Sequence, residues 1–288
     1  MHKRSRPILF AVFFFLVVFP AAAQQAPASS AFTILLTNDD GYDAPGLKAL
    51  IEAFRTLGDL YVSAPAVEQS GKGHSILTTR DPIFVQERKQ PDGKTWYAVE
   101  GPPATCVRLA VEALLPQRPD IVISGINRGH NLGLASVYLS GTLGAAREAA
   151  IVGIPAIAVS MDGNRDADYA ATAAYIRQLV EQLRTMKRLQ PGLFLTVNAP
   201  AGERKGVMLT RLSAKPSQEK FEPRTSPRGR LYFWSAYRPA DDQEEGTDIT
   251  AFQRGYITIT PMVLDVTDAK SFEALRKLET RVAAAAPK

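Results

Sequence analysis

Short β-rich runs alternate with longer stretches of helical spacing, and this alternation constrains the fold more than any other feature of the chain. Residues 32–37 suit a strand buried on both faces. Pro45 then opens a helix with Asp43 as its candidate N-cap, while Leu47, Leu50, Ile51, Phe54 and Leu57 recur at helical spacing ahead of Gly58. Residues 60–64 predict a second strand, and 83–87 and 95–100 a strand pair turned by Pro91-Asp92-Gly93. A helix over 105–115, a strand over 120–124, a helix over 143–152 and a strand over 156–160 follow. A long amphipathic helix over 167–189 and a strand over 193–198 complete the series. Such an order predicts an α/β protein with a doubly wound, mostly parallel sheet.

The pattern changes after Pro200. Residues 205–212 suit another strand, and 213–245 are polar, rich in Arg and Pro, and interrupted by Tyr232-Phe233-Trp234. That stretch reads equally as a long hairpin packed on the domain and as an arm that joins subunits. Residues 256–260 alternate as a strand, and Phe272, Leu275, Leu278 and Val282 predict a terminal amphipathic helix.

The other end of the chain has a different character. Lys3, Arg4 and Arg6 precede an apolar run over 8–19 and then Pro20-Ala21-Ala22-Ala23. A basic start, a short apolar stretch and an A-x-A-like end describe a secretory signal peptide. The run would span roughly 18 Å as a helix, short of a ~30 Å hydrocarbon core, which disfavours the alternative of an uncleaved anchor. The expected organisation is a signal peptide over 1–23, a linker over 24–31, a catalytic domain over 32–200 and a C-terminal region over 201–288. Export to the periplasm follows. The formal charge of +5 suggests a polyanion partner, but three of its positive charges lie in the leader, so no stable nucleic-acid or membrane partner is expected after cleavage. The single cysteine, Cys106, excludes an intramolecular disulfide and a multi-cysteine zinc site.

Four polar clusters sit just after predicted strands or open a predicted helix. They are Thr37-Asn38-Asp39-Asp40-Gly41, Glu68-Gln69-Ser70-Gly71, the segment from Gly125 to Asn131, and Ser140-Gly141-Thr142. Ligands of open α/β sheets bind beyond the carboxyl ends of the strands, so these clusters can converge. Asp39 and Asp40 with neutral oxygens of Ser70 and Asn127 suit one hard divalent cation, Mg²⁺ or Mn²⁺. An Asp-Asp-Gly after a strand also reads as an ordinary turn and helix cap. Ser140-Gly141-Thr142 offers N–H groups, a positive dipole end and two hydroxyls to a phosphate, or else simply caps a helix. His74 and His130 are the candidate acid or phosphate-binding histidines, with His130 favoured by position. No phosphate-loop spacing, G-x-S-x-G, H-E-x-x-H or C-x-x-C motif occurs.

Taken in order, these residues resemble the SurE family of survival-protein nucleotidases. The resemblance rests on residues 34–41, Pro45-Gly46, Ala64-Pro65, Ser70, Gly73-His74-Ser75, residues 101–107 and residues 120–129. It continues through Asn131, Gly133, Ser140-Gly141-Thr142 and residues 255–261. It implies a Rossmann-like domain with a C-terminal arm exchanged between subunits, in dimers or tetramers. It also implies a divalent-metal set of Asp39, Asp40, Ser70 and Asn127, and a phosphate site lined by Asn131, Ser140, Gly141 and Thr142. His130 stands where the family often has proline, and Gln69 where it commonly has a basic residue.

The expected activity is metal-dependent hydrolysis of nucleoside 5′- or 3′-monophosphates by a homo-oligomer. Two other classes fit parts of the sequence: a haloacid-dehalogenase-like phosphatase, which would want D-x-D where this chain has Asp39-Asp40-Gly41, and a non-catalytic metal- or nucleotide-binding module.

Overall fold

A computed structural model describes residues 31–163, 168–238 and 240–279. The signal peptide and most of the linker expected at the start of the chain lie outside the described residues. Among the described residues, no helix is long and apolar enough to cross a membrane.

Nine strands form one sheet in the order β3-β4-β2-β1-β5-β6-β7-β11-β8. The central strands β1 (Thr33–Thr37), β2 (Asp59–Pro65), β5 (Ile121–Arg128), β6 (Ala156–Met161) and β7 (Phe194–Ala199) run parallel. At one edge β4 (Thr95–Val99) pairs parallel with β2 and antiparallel with β3 (Val85–Lys89). At the other, β11 (Tyr256–Pro261) runs antiparallel to β7 and parallel to β8 (Gly206–Leu209). Strands from both sides of Pro200 therefore share a single sheet.

Alternation along β1 explains how the two faces are built. Ile34 and Leu36 point to one side, where α1 (Pro45–Phe54) and α5 (Tyr169–Thr185) bury Leu47, Leu50, Phe54, Ile176 and Val180. Leu35 points to the other, against Val107 of α2 (Pro103–Leu109) and Leu143, Ala146 and Ala149 of α4 (Gly141–Ile151). A strand with helices on both sides has no solvent face, hence its unbroken apolar sequence.

Some boundaries differ from the sequence reading. Ala44, with no side-chain cap bond, is the N-cap of α1, while Asp43 reaches Lys48 Nζ at 3.5 Å; Pro45 has no N–H to be capped. The helix expected from residue 105 starts at Pro103 and widens into a π-helical turn over Ala110–Leu114. Two short helices, α3 (Gly133–Leu139) and α6 (Asp248–Gln253), were not anticipated from the sequence. The terminal helix α7 (Ala269–Leu275) forms, but Phe272 and Leu275 remain exposed.

The 213–245 stretch contains a two-stranded antiparallel hairpin, β9 (Gln218–Thr225) with β10 (Leu231–Arg238). Its described side chains face solvent, apart from half-buried Ala236. All eight β9 residues are exposed, as are Leu231, Tyr232, Phe233 and Trp234 of β10.

Candidate active site

Strand order places a topological switch at β1, because β2 lies on one side of it and β5 on the other. The loops leaving the carboxyl ends of β1, β2 and β5 diverge there and leave a crevice. Asp39 and Asp40 follow β1, Ser70 lies in the loop after β2, and Asn127 is the penultimate residue of β5.

Direct bonds hold these pieces together. The Thr142 hydroxyl donates to Asp39 Oδ1 across 2.5 Å, joining the carboxylate pair to the first turn of α4. Gln69 N–H donates to the Asp39 carbonyl at 2.8 Å, placing the Ser70 loop beside β1. Arg128 N–H donates to Asp40 Oδ2 at 3.0 Å, bringing neighbouring Asn127 to the same rim. Gly141 is required by close approach: a Cβ there would lie 2.9 Å from Asp39 Cβ.

Burial sets the electrostatics. Asp39 is only 3% exposed, and loss of hydration pushes its carboxyl from 3.8 up to about 6 despite its hydrogen bond with Thr142. Asp40 is also raised, first by burial and then by the nearby Glu68 charge, against the Arg128 N–H bond. Among the described residues, neither aspartate has a Lys, Arg or His ion-pair partner.

The donor set fits one hard divalent cation. Two adjacent carboxylates have no direct ion-pair partner, Arg128 acting on Asp40 only from a distance, and the remaining candidate ligands are neutral oxygens. Asn127 Nδ2 donates to the Gly129 carbonyl at 2.6 Å, leaving Oδ1 as an acceptor. Ser70 Oγ donates to Glu68 Oε1 at 2.9 Å and keeps its lone pairs.

Ser140 is the N-cap of α4, its Oγ accepting from Leu143 N–H at 3.2 Å. Its hydroxyl proton remains free for an anion, whereas the Thr142 proton, expected on a phosphate, is committed to Asp39. Asn131 is pinned from two sides. Its N–H donates to Asn198 Oδ1 at 2.7 Å and its Nδ2 to Ser160 Oγ at 2.8 Å, which leaves one amide proton.

The structure separates both histidines from this cluster of bonds. His74 Nε2 lies 2.8 Å from the buried Glu148, which also takes Arg108 Nε at 2.5 Å. Burial opposes the Glu148 charge, but the hydrogen bonds from His74 and Arg108 outweigh it and hold the carboxyl below its usual value. His130 packs edge-on against Phe252, with ring centroids 5.3 Å apart, at a 160 Å³ cavity shared with Leu132, Lys215 and Ile249.

Three further residues support the site, of which Glu68 appeared in sequence only as part of a polar cluster. Glu68 holds Ser70; Glu148 fastens the Ser70 loop to α4; and buried Asp248 accepts Gly133 N–H at 2.7 Å and Ser213 N–H at 2.8 Å, bracing the loop that carries Asn131. The clearest sequence signal was at Glu148, a carboxylate in the alanine-rich α4.

Comparisons with known proteins agree with this architecture. The family model described as Survival protein SurE matches residues 34–219. The chain is 44% identical over 248 residues to the 5′-nucleotidase SurE of Pelotomaculum thermopropionicum, covering 85% of this chain and 94% of that protein. It is 43% identical to the 5′-nucleotidase SurE 1 of Thermus thermophilus, covering 87% of this chain and 99% of that one. The crystal structure of the SurE protein from Aquifex aeolicus superimposes with a TM-score of 0.73 at 37% identity, covering 86% of this chain and all of that one. With a family model spanning more than half of its residues and relatives above 40% identity along most of its length, the chain belongs to the SurE family.

Proposed function

We propose that this protein is a divalent-metal-dependent phosphomonoesterase acting on nucleoside 5′- or 3′-monophosphates. Its relatives' name, 5′-nucleotidase, supports the reaction class. The observation that carries the reading is the bond from Thr142 to Asp39, which sets an anion-attracting helix terminus against an unpaired carboxylate pair. A site that holds only a phosphate needs no such carboxylates, and one that holds only a metal needs no helix N-terminus.

Asp39, Asp40, Ser70 and Asn127 would hold one Mg²⁺ or Mn²⁺ per subunit. When bound, the cation supplies Lewis-acid stabilisation of charge developing on the phosphoryl oxygens. The Ser140 hydroxyl and the Gly141 N–H at the start of α4 grip the transferring group, and the remaining Asn131 amide proton orients it. Asp39 orients the attacking water, while Thr142 fixes which carboxylate oxygen faces it.

The exposed aromatic hairpin supports a homodimer or homotetramer in which β9 and β10 embrace a neighbour. The basic and apolar start of the chain supports export to the periplasm. Phosphate release from a panel of nucleoside monophosphates, with and without Mg²⁺ or Mn²⁺, tests the activity. Metal-stimulated release that is abolished in Asp39→Asn is the expected result. Absence of release from every nucleotide refutes it, and unchanged release in Asp39→Asn refutes the site.

A further inference from the structure

Beside the phosphate site lies a separate cavity of about 550 Å³ to which no role has yet been given. Its walls meet the site at three places. Tyr42 follows the Asp39-Asp40-Gly41 turn, Gln69 precedes Ser70 and bonds to the Asp39 backbone, and Pro102 precedes Pro103, which packs against Gly141. A molecule whose phosphate rests on α4 therefore has this cavity as a neighbouring space for its remainder.

The lining is chemically specific. The Arg88 guanidinium lies over the Tyr42 ring, 5.9 Å from its centroid, giving two flat π-faces in one wall. Arg88 also donates to Gln86 Oε1 at 3.0 Å, which turns the Gln86 amide protons outward as donors. Glu100 adds a carboxylate acceptor to the same cavity. Flat faces accept any aromatic base by stacking. A cavity that offers both carboxylate acceptors, from Glu100 and Asp43, and amide donors, from Gln86, suits a base edge that carries both an exocyclic amine and a ring-nitrogen acceptor.

We propose that this cavity is the nucleobase subsite, in which Tyr42 and Arg88 stack the base while Glu100 and Gln86 favour amino-bearing bases over uracil. The subsite rests on the nucleotidase reading and extends it to a base preference. It also makes ribose 5-phosphate, which has no base, a poor substrate.

The test compares wild type with Tyr42→Ala, Tyr42→Phe and Glu100→Gln. It measures kcat/KM for AMP, UMP and ribose 5-phosphate, and saturation-transfer NMR with adenosine, which needs no turnover. Tyr42→Ala is expected to lower kcat/KM for AMP about tenfold, leave ribose 5-phosphate unchanged and abolish the adenosine signal. Tyr42→Phe retains both, and Glu100→Gln narrows the preference for AMP over UMP. Equal losses for AMP and ribose 5-phosphate in Tyr42→Ala overturn the subsite, as does an adenosine signal that survives in that variant or is absent in wild type. Adenosine binding through Tyr42 in a protein that releases no phosphate upholds the subsite and refutes the phosphatase reading instead.

Discussion

Thr142 and Asp39 stand 103 residues apart in sequence yet share a 2.5 Å hydrogen bond, and through it the first turn of α4 is registered against the loop after β1. The bond consumes the threonine proton, so the aspartate is oriented before any ligand arrives. Neither residue can shift without the other.

Gly141 is the tightest point of that registration. In Gly141→Ala the new methyl would sit 2.9 Å from Asp39 Cβ and 3.0 Å from Oδ2, which forces the carboxylate to move. Displacements of this order at a reacting centre cost on the order of a hundredfold in rate. We expect kcat/KM for AMP to fall by about that factor while the circular dichroism spectrum stays that of wild type. Activity within threefold of wild type would show that the Asp39–Gly141 contact is not critical.

The raised Asp39 carboxyl makes a signed prediction about stability. Because its value in the fold is about 6 against an ordinary 3.8, the folded state binds the proton more tightly. Its favourable contribution is complete below pH 3.8 and is lost as the pH rises through about 6. In chelator-treated protein, Asp39→Asn should therefore be more stable than wild type above pH 6, by about 1–3 kcal/mol. The difference should vanish towards pH 4. Urea unfolding at pH 4 and pH 7.5 measures it, and added Mn²⁺ should close the gap at pH 7.5 by stabilising wild type alone. A mutant that is less stable than wild type at pH 7.5 in chelator would contradict this electrostatic picture.

Glu148 works in the opposite sense. It is buried, hydrogen-bonded to His74 and ion-paired to Arg108, with its carboxyl held below the usual glutamate value. The stability it contributes is present above the ordinary glutamate range and fades as the pH falls through its lowered value. Gly144 packs so closely on this loop that a Cβ would lie 2.2 Å from the Gly73 carbonyl, so the loop has no second way to seat. Glu148→Ala should cost about 3–5 kcal/mol in denaturant unfolding at pH 7. His74→Ala should cost less, since Arg108 remains as a partner, but should raise the KM of the metal cofactor by loosening the Ser70 loop. An unaltered metal requirement in His74→Ala would show that the loop is held by other contacts.

The hairpin can be tested by replacing residues 218–238 with a short Gly-Ser linker. The described side chains of its strands are exposed apart from half-buried Ala236, so the excised protein should keep its secondary structure. The mass from light scattering should drop towards that of a monomer. A mass per particle unchanged in subunit number would place the main subunit contact elsewhere.

The sequence by itself determined the layered α/β class, most of the parallel strands and the identity of the polar clusters. Those properties are local: a strand buried on both faces must be apolar along its length, and a helix against a sheet must repeat its apolar residues every three or four positions. Tyr232-Phe233-Trp234 was equally legible as an unusual aromatic patch, but local pattern leaves its exposure undetermined. The short helices α3 and α6 carried no apolar period that marked them in sequence.

Tertiary structure alone decided how the polar groups are spent. Ser140 and Thr142 look interchangeable in sequence, yet one caps its own helix and keeps its proton while the other gives its proton to Asp39. His74, one of two candidate acids in sequence, bonds to Glu148 as a strut, while His130, the favoured candidate, rests on an aromatic ring. A hydrogen bond depends on a few ångströms and a direction between groups 74 or 103 residues apart, and spacing along the chain carries no record of that.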